Sequence, residues 1–133
     1  MVVGADGELP LPWLAAPLAE VLGQQRGHSL LLPKLHAPLD IMVWLQQMQK
    51  TPEKAPHAKF ILLPQGAVSM HTQTKPHGNA VLLVGAEGGF TQAESDAALH
   101  CGFIPIRMGA RVLRTETAAI AGLAALQTLW GDF

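Results

Sequence analysis

The chain has 133 residues, of which 49% are hydrophobic and only 14% are charged, and its formal net charge is −1. This length and composition predict one globular domain with a single core and exclude a disordered chain. A protein that binds nucleic acid by itself normally carries a basic excess, and this chain has none. Binding of RNA or DNA would therefore require a small local patch, a further domain or a second chain.

Cysteine content and hydropathy restrict the compartment and the cofactors. The single cysteine, Cys101, excludes an internal disulfide bond and fits a reducing cytoplasm. No apolar stretch reaches the roughly 18 residues that a membrane span needs, and no secretory signal is recognisable. We therefore expect a cytoplasmic protein without membrane contact. None of the six histidines pairs at the spacing of metal ligands, so we expect no metal site.

The first half of the chain predicts two helices and two strands. Residues 1–13 are rich in Gly and Pro and are interpreted as a tail or linker remnant. Helical spacing of apolar residues predicts a helix over 14–22, and "HSLLLP" predicts a short buried strand. "PLDIMVWLQQMQ" predicts a helix with Pro38 near its start, and "FILLP" predicts the second strand. "QGAVSMHTQTKPHGN" is predicted to be a loop.

The second half predicts strands and helices in alternation. "AVLLV" is apolar throughout, as expected for a strand covered on both faces. Thr91 and Glu94 match a capping box, which predicts a helix to about His100 with Gly102 as its left-handed stop. "FIPI" predicts a strand, "RMGARVLR" a loop, and "TETAAIAGLAALQTLW" a helix with Thr115 as N-cap. This alternation predicts an α/β fold whose mainly parallel sheet has helices on both faces.

A turn with three glycines, Gly85, Gly88 and Gly89, separates the "AVLLV" strand from its helix and also contains Glu87. Ligands of open α/β sheets bind beyond the carboxyl ends of strands, and missing Cβ atoms let a ligand touch the main chain. Glu87 would accept hydrogen bonds from hydroxyls such as those of a ribose. The alternative is a sharp turn with a solvated Glu87. The P-loop and G-x-G-x-x-G patterns are absent, which disfavours a nicotinamide enzyme.

Two arginines, Arg111 and Arg114, stand in the loop before the final helix. Cations beside a helix N-terminus oppose the helix dipole, so they predict an anionic partner. That partner is either a phosphate or a structural ion pair with Glu87 and Glu116.

The segments "LLVGAEGGFTQAE" and "MGARVLRTETAAIAGLAALQ" together resemble the RsmE family of small-subunit ribosomal RNA methyltransferases, which belongs to the SPOUT superfamily of knotted α/β folds. The similarity is strong from Val81 to Gln127 and weak before it. Ala86 and Ala110 replace prolines that are usual in the family, and His28 stands in place of an arginine.

The resemblance implies that residues 14–133 form a SPOUT methyltransferase domain with a C-terminal trefoil knot, without the family's N-terminal PUA-like RNA-binding domain. It implies S-adenosylmethionine-dependent methylation of uracil N3 in 16S ribosomal RNA, with this RNA or the small subunit as a partner that is bound weakly without that domain. It also implies a homodimer in which the Ala-rich final helix packs across a two-fold interface. An internal core helix is the alternative.

The resemblance further implies roles for individual residues. Arg114 is expected to stabilise the anion that develops on the uracil carbonyls, Arg111 to hold a phosphate or an acidic partner, and Glu116 to act as the base. The residues expected to bind S-adenosylmethionine are Leu63, Gly85, Glu87, Gly88, Gly89, Met108, Gly109, Leu113 and Thr115.

Two other functions remain open at this point. The first is a non-catalytic module for S-adenosylmethionine binding or dimerisation, left after loss of the RNA-binding domain. The second is a flavodoxin-like or Rossmann-like nucleotide binder, which the G-x-x-G-G spacing disfavours.

Overall fold

A computed structural model describes residues 2–4, 36–50, 58–65 and 68–131. The strands are β1 (Val2–Gly4), β2 (Ala58–Leu62), β3 (Val68–Ser69), β4 (Ala80–Leu83) and β5 (Ile104–Arg107). The helices are α1 (Ile41–Lys50), α2 (Gln92–His100) and α3 (Thr115–Trp130), and a 3-10 turn spans Met70–Thr72. The helix predicted over 14–22 and the strand "HSLLLP" lie outside the described residues.

The five strands form one sheet in the order β1-β4-β2-β5-β3. β4, β2, β5 and β3 are parallel, and β1 pairs antiparallel with β4 at one edge. The predicted mainly parallel sheet is thus confirmed. Val2–Gly4 belong to this sheet and not to a tail, because an edge strand pairs through its backbone, which side-chain composition does not reveal.

The two faces of the sheet hold separate core clusters. Phe60 and Leu82 pack in a cluster on the α3 side, whereas the next residues, Ile61 and Leu83, pack in a cluster on the side of α1 and α2. Successive side chains of a strand point to opposite faces, so two apolar neighbours on one strand need cover on both. Helices on both faces, as predicted, supply that cover.

The two helices on one face begin and end at local signals. The Asp40 carboxylate accepts hydrogen bonds from the main-chain N–H groups of Met42 (2.8 Å) and Val43 (3.3 Å). With this cap, α1 begins at Ile41, three residues after Pro38, which was predicted to lie near its start. For α2, both hydrogen bonds of the predicted capping box are present, and Gly102 has the left-handed φ of +84° expected of a stop.

The stretch predicted as the loop "QGAVSMHTQTKPHGN" contains β3 and the 3-10 turn, so that prediction is wrong in part. Val68 and Ser69 pair with the end of β5, and Met70, only 5% exposed, packs in the α3-side core. A strand of two residues is too short to show a periodicity, which is why the sequence did not reveal it.

Helix α3 lies close to the sheet. Arg114 is its N-cap, with extended backbone and no side-chain cap, so the prediction of Thr115 as N-cap is wrong by one residue. Gly122 is buried, and a Cβ atom there would lie 2.7 Å from Leu82 Cδ2. At least one of the small residues of this helix is therefore needed for close packing of the helix against the sheet. This agrees with the alternative that α3 is an internal core helix.

Candidate functional site

Three loops meet at the carboxyl ends of adjacent strands. Because β4, β2 and β5 are parallel neighbours, the residues that follow them converge at one edge of the sheet. They surround a cavity of about 770 Å³. This volume falls within the range of roughly 300–1,000 Å³ for small-molecule and cofactor sites. The cavity lies beyond the strand ends, where the site was predicted.

The first wall of the cavity is the turn of residues 85–90, here called the glycine turn. Its closure is a hydrogen bond from Gly89 N to Ala86 O of 2.8 Å, and Gly89 has a left-handed φ of +74°. A Cβ atom on Gly85 would lie 3.1 Å from the carbonyl carbon of Gly89, so a side chain there would require the turn to shift by a few tenths of an ångström. This close approach favours the interpretation as a sharp turn for Gly85.

Gly88 behaves differently from Gly85. Apart from Gly88 itself and its two chain neighbours, no described residue has an atom within 4 Å of the position that its Cβ atom would take, and its φ is not left-handed. Gly88 nevertheless lines the cavity, as does the exposed Glu87. The absent side chain at Gly88 therefore leaves space for a ligand and is not demanded by the backbone.

The second wall is the bend of residues 108–114, here called the arginine bend, which follows Arg107 at the end of β5. Gly109 has a left-handed φ of +72° with open space around it. Within the described part of the chain, the side chains of Arg107, Arg111 and Arg114 make no hydrogen bond or ion pair. The structural ion pair with Glu87 and Glu116 is therefore absent there, and three guanidinium groups border the cavity without an ion pair to the Glu87 carboxylate that also lines it.

The floor of the cavity comes from the end of β2 and the residues after it. Leu63 N donates a hydrogen bond of 3.0 Å to Ile106 O, which ties this loop to β5. Leu63 and Met108 are half-buried and pack against the two core clusters, one on each face of the sheet. Both therefore present apolar surface to the cavity from a fixed position.

All predicted site residues except Glu116 line this one cavity. Glu116 is exposed in the first turn of α3 and is not part of the lining, so the prediction that it belongs to the site is not supported. Sequence reasoning did not select several further lining residues, namely Leu62, Pro64, Val84, Ala86, Phe90, Arg107, Ala110, Val112 and Ala118. Arg107 is the one charged residue among them. Sequence patterns predicted that it lies in a loop, whereas it is the last residue of β5.

Two other features concern the described residues alone. No group of three or more His, Cys, Asp or Glu side chains among them is placed to hold a metal ion. No helix in the same ranges combines the length and apolar character needed to cross a membrane.

Comparisons with known proteins agree with this geometry. A model of the RNA methyltransferase domain family matches residues 23–127. A ribosomal RNA small subunit methyltransferase E from Buchnera aphidicola is 36% identical over 103 residues, which cover 77% of this chain and 39% of that protein. This chain therefore spans about two fifths of the length of that relative.

Two solved structures resemble this fold. One is a ribosomal RNA small subunit methyltransferase E from Neisseria gonorrhoeae bound to S-adenosyl methionine, with a TM-score of 0.67 and 36% identity over 77% of this chain and 41% of that one. The other is a putative methyltransferase from Legionella pneumophila in complex with the same cofactor, with a TM-score of 0.66 and 36% identity over 77% of this chain and 40% of that one. The chain thus belongs to the RNA methyltransferase domain family, and the resemblance to RsmE enzymes predicted from its two motifs is confirmed.

Proposed function

We propose that this chain uses S-adenosylmethionine to methylate N3 of a uracil in the 16S ribosomal RNA of the small subunit. One observation carries the proposal: the glycine turn and the arginine bend, which hold the two family motifs, form opposite walls of a single cavity. Solved relatives bind S-adenosylmethionine, and the Buchnera relative is named as a ribosomal RNA methyltransferase.

The cavity suits S-adenosylmethionine in size and in lining. Open Cβ positions at Gly88, Gly89 and Gly109 leave main-chain N–H and C=O groups accessible to an adenosyl group. The half-buried Leu63 and Leu113 offer apolar surface for the adenine ring. Further lining residues proposed to contact the cofactor are Gly85, Glu87, Met108 and Thr115, with Glu87 accepting hydrogen bonds from the ribose hydroxyls. When bound, S-adenosylmethionine supplies an electrophilic methyl group.

The chain's own chemical task is to make uracil N3 nucleophilic. Loss of the N3 proton leaves negative charge shared with the carbonyl oxygens, and a guanidinium group facing those oxygens stabilises it. We assign this role to Arg114 and assign binding of an RNA phosphate to Arg111. Neither side chain is neutralised by a carboxylate in the described structure, so both are available for an anion.

The residue that takes the N3 proton is assigned differently from the sequence-based prediction. Glu116 is exposed outside the cavity lining, so we no longer propose it as the base. We propose that water in the open cavity takes the proton, because stabilisation of the resulting anion by Arg114 lowers the free energy of that step.

Assembly is part of the same proposal. We propose a SPOUT domain over residues 14–133 with a trefoil knot formed by the two cavity loops, acting in the cytoplasm as a homodimer. The family match over 23–127 supports the domain. The dimer is supported by Ile120, which is 62% exposed on α3 although Ala119 beside it is buried. Measurement of the molar mass in solution by light scattering tests the dimer.

The decisive experiment combines the chain, isotopically labelled S-adenosylmethionine and unmethylated small ribosomal subunits. Digestion of the RNA and mass spectrometry of its nucleosides should reveal N3-methyluridine. Calorimetry with S-adenosylmethionine separates the alternatives: binding without transfer indicates a non-catalytic module, and absence of binding contradicts the proposal. Fluorescence titration with a flavin or NAD tests the remaining nucleotide-binder alternative.

A further inference from the structure

Acidic residues are missing from two long stretches of the chain. Neither residues 54–86 nor residues 97–115 contain Asp or Glu. These stretches supply β2 to β5 and the arginine bend. The cations of the second stretch are Arg107, Arg111 and Arg114, and the first contributes Lys75 just beyond the 3-10 turn. A chain with a net charge of −1 thus gathers three arginines at one edge of the sheet, where Glu87 of the glycine turn is the acidic residue in the cavity lining.

Arg107 occupies a defined place at that edge. It is the register partner of Ser69 on the edge strand β3, and partners on adjacent strands lie about 4.8 Å apart. The preceding Ile106 is buried in the α3-side core, so Arg107 and Ser69 share the opposite face. Arg107 also lines the cavity, which makes the edge continuous with the proposed site.

Ser69 also forms a hydrogen-bonded pair with His71, which adds further donors to the edge where Arg107 lies. Ser69 Oγ lies 2.8 Å from His71 Nδ1. If the ring nitrogen accepts the hydroxyl hydrogen, Nε2–H remains as a donor; if it donates, the hydroxyl hydrogen remains. Either tautomer therefore leaves one donor unused by the pair.

The pair is held in place from two sides. Met70, between its members in the chain, is buried in the core, and Thr72 Oγ1 donates a hydrogen bond of 2.7 Å to Ser69 O. The short turn that carries His71 is thereby fixed to β3. Preorganised donors lose less conformational entropy when a ligand binds.

We propose that Ser69, His71 and Arg107, here called the edge cluster, bind a phosphodiester group of the RNA strand next to the target uridine. A guanidinium group combined with neutral O–H or N–H donors is the arrangement that recognises phosphate oxygens. No carboxylate in the described structure bonds to any of the three side chains. That the neighbouring nucleotide is the target uridine depends on the proposed function. That a phosphate binds here depends only on the three side chains of the edge cluster.

The test measures RNA binding by the full chain. The probe is fluorescently labelled single-stranded oligouridylate, and its anisotropy is followed over a series of KCl concentrations. We expect Arg107→Gln to weaken binding about fivefold and to reduce the slope of log K against log salt by about 0.7, the value for one phosphate contact on a single strand. Ser69→Ala and His71→Gln should each weaken binding about twofold.

A double variant tests whether the residues share one phosphate. Arg107→Gln combined with His71→Gln should lose less affinity than the product of the two separate losses, because neither contact is then independent. Lys50→Gln removes one exposed charge at the end of α1 and is the charge-matched control. The neighbouring Gln49 hydrogen-bonds to Cys101, which precedes β5, whereas Arg107 lies at the other end of that strand. It should leave both the affinity and the salt slope unchanged.

Other outcomes overturn the edge cluster as an RNA contact. These are no measurable RNA binding by the unaltered chain, equal effects of Arg107→Gln and Lys50→Gln, or an unchanged salt slope. A loss of S-adenosylmethionine affinity in Ser69→Ala and His71→Gln that matches the loss of RNA affinity would assign the anion to the cofactor carboxylate. RNA binding with the expected dependence but without methyl transfer would reject the proposed function and leave the edge cluster standing.

Discussion

The glycine turn and the arginine bend face each other across one cavity, yet they are held in different ways. The glycine turn is closed by its own Gly89–Ala86 hydrogen bond and runs directly into the capping box of α2. In the arginine bend, no side chain of the described structure makes a hydrogen bond, and Val112 is 79% exposed. One wall is tied to the fold by local contacts, and the other is fixed mainly by β5 and α3 at its ends.

Because the two walls are held differently, substitutions in them should affect different properties, either the stability of the fold or the binding of ligands. A turn that satisfies its own hydrogen bonds keeps its shape without a ligand, which favours preorganised cofactor binding. A bend whose arginines form no ion pair in the described structure gains its electrostatic contacts only when an anion arrives. We therefore expect changes in the bend to affect activity, and changes in the turn to affect either cofactor affinity or folding, depending on which atom is altered.

The largest effect should come from Arg114→Ala in the bend. Removal of one group that stabilises developing charge typically lowers a rate about 10²–10³-fold. The thermal midpoint and the affinity for S-adenosylmethionine should remain near those of the unaltered chain, because the guanidinium group makes no hydrogen bond or ion pair within the described structure. Single-turnover methyl transfer, calorimetry and thermal unfolding provide the three readings, with Lys50→Ala as control. Unchanged turnover would remove Arg114 from the catalytic assignment.

Gly88→Val should be next in size. The branched side chain would enter the cavity and occupy ligand space, so S-adenosylmethionine should bind about tenfold to a hundredfold more weakly, a loss of about 1.4–2.8 kcal/mol. Stability should change little, since no described residue other than the two chain neighbours has an atom within 4 Å of the added Cβ and φ is not left-handed. Calorimetry and thermal unfolding measure the two effects.

The adjacent glycine provides the matched control. Gly89→Ala places a Cβ on a residue with φ of +74°, which should lower the free energy of unfolding by about 1–2 kcal/mol. If Gly88→Val leaves cofactor affinity intact, the glycine turn has no ligand role and its glycines are explained by backbone geometry alone.

Thr91→Ala tests whether the turn is tied to its helix. The substitution removes the Thr91 Oγ1 acceptor of the Glu94 N–H, a hydrogen bond of 3.2 Å. The expected cost is about 1 kcal/mol of unfolding free energy, or roughly 4 °C in the thermal midpoint. Thr91→Ser keeps the acceptor and should lose less. Equal losses for Ala and Ser would show that the cap contributes nothing and that the methyl group matters instead.

Val112→Ser should have the smallest effect on stability. The side chain is 79% exposed in the bend, and exposed substitutions of this kind change the unfolding free energy by about 0.5 kcal/mol or less. Denaturant unfolding at constant protein concentration gives the value. A loss of unfolding free energy above about 2 kcal/mol would mean that Val112 is buried in a contact made by a second copy of the chain. The arginine bend would then be held by that copy as well as by β5 and α3.

Sequence patterns located the elements whose signals are local. The capping box of α2, its left-handed stop at Gly102 and the extent of α3 were predicted correctly, because the hydrogen bonds involved join residues only a few positions apart. β3 was missed because two residues show no periodicity. Arg107 was assigned to a loop because the end of a parallel strand is decided by its neighbour, here Ser69 of β3.

The two motifs by themselves indicated the family, and the two continuous stretches that carry them contain most of the residues that line the cavity. The tertiary structure alone decided that the two stretches meet, that Gly85 is closely packed while Gly88 faces open space, and that Glu116 is not among the residues lining the cavity. The physical reason is the strand order β4-β2-β5: pairing between residues far apart in the chain brings three loops to one edge, and no short-range pattern encodes that order.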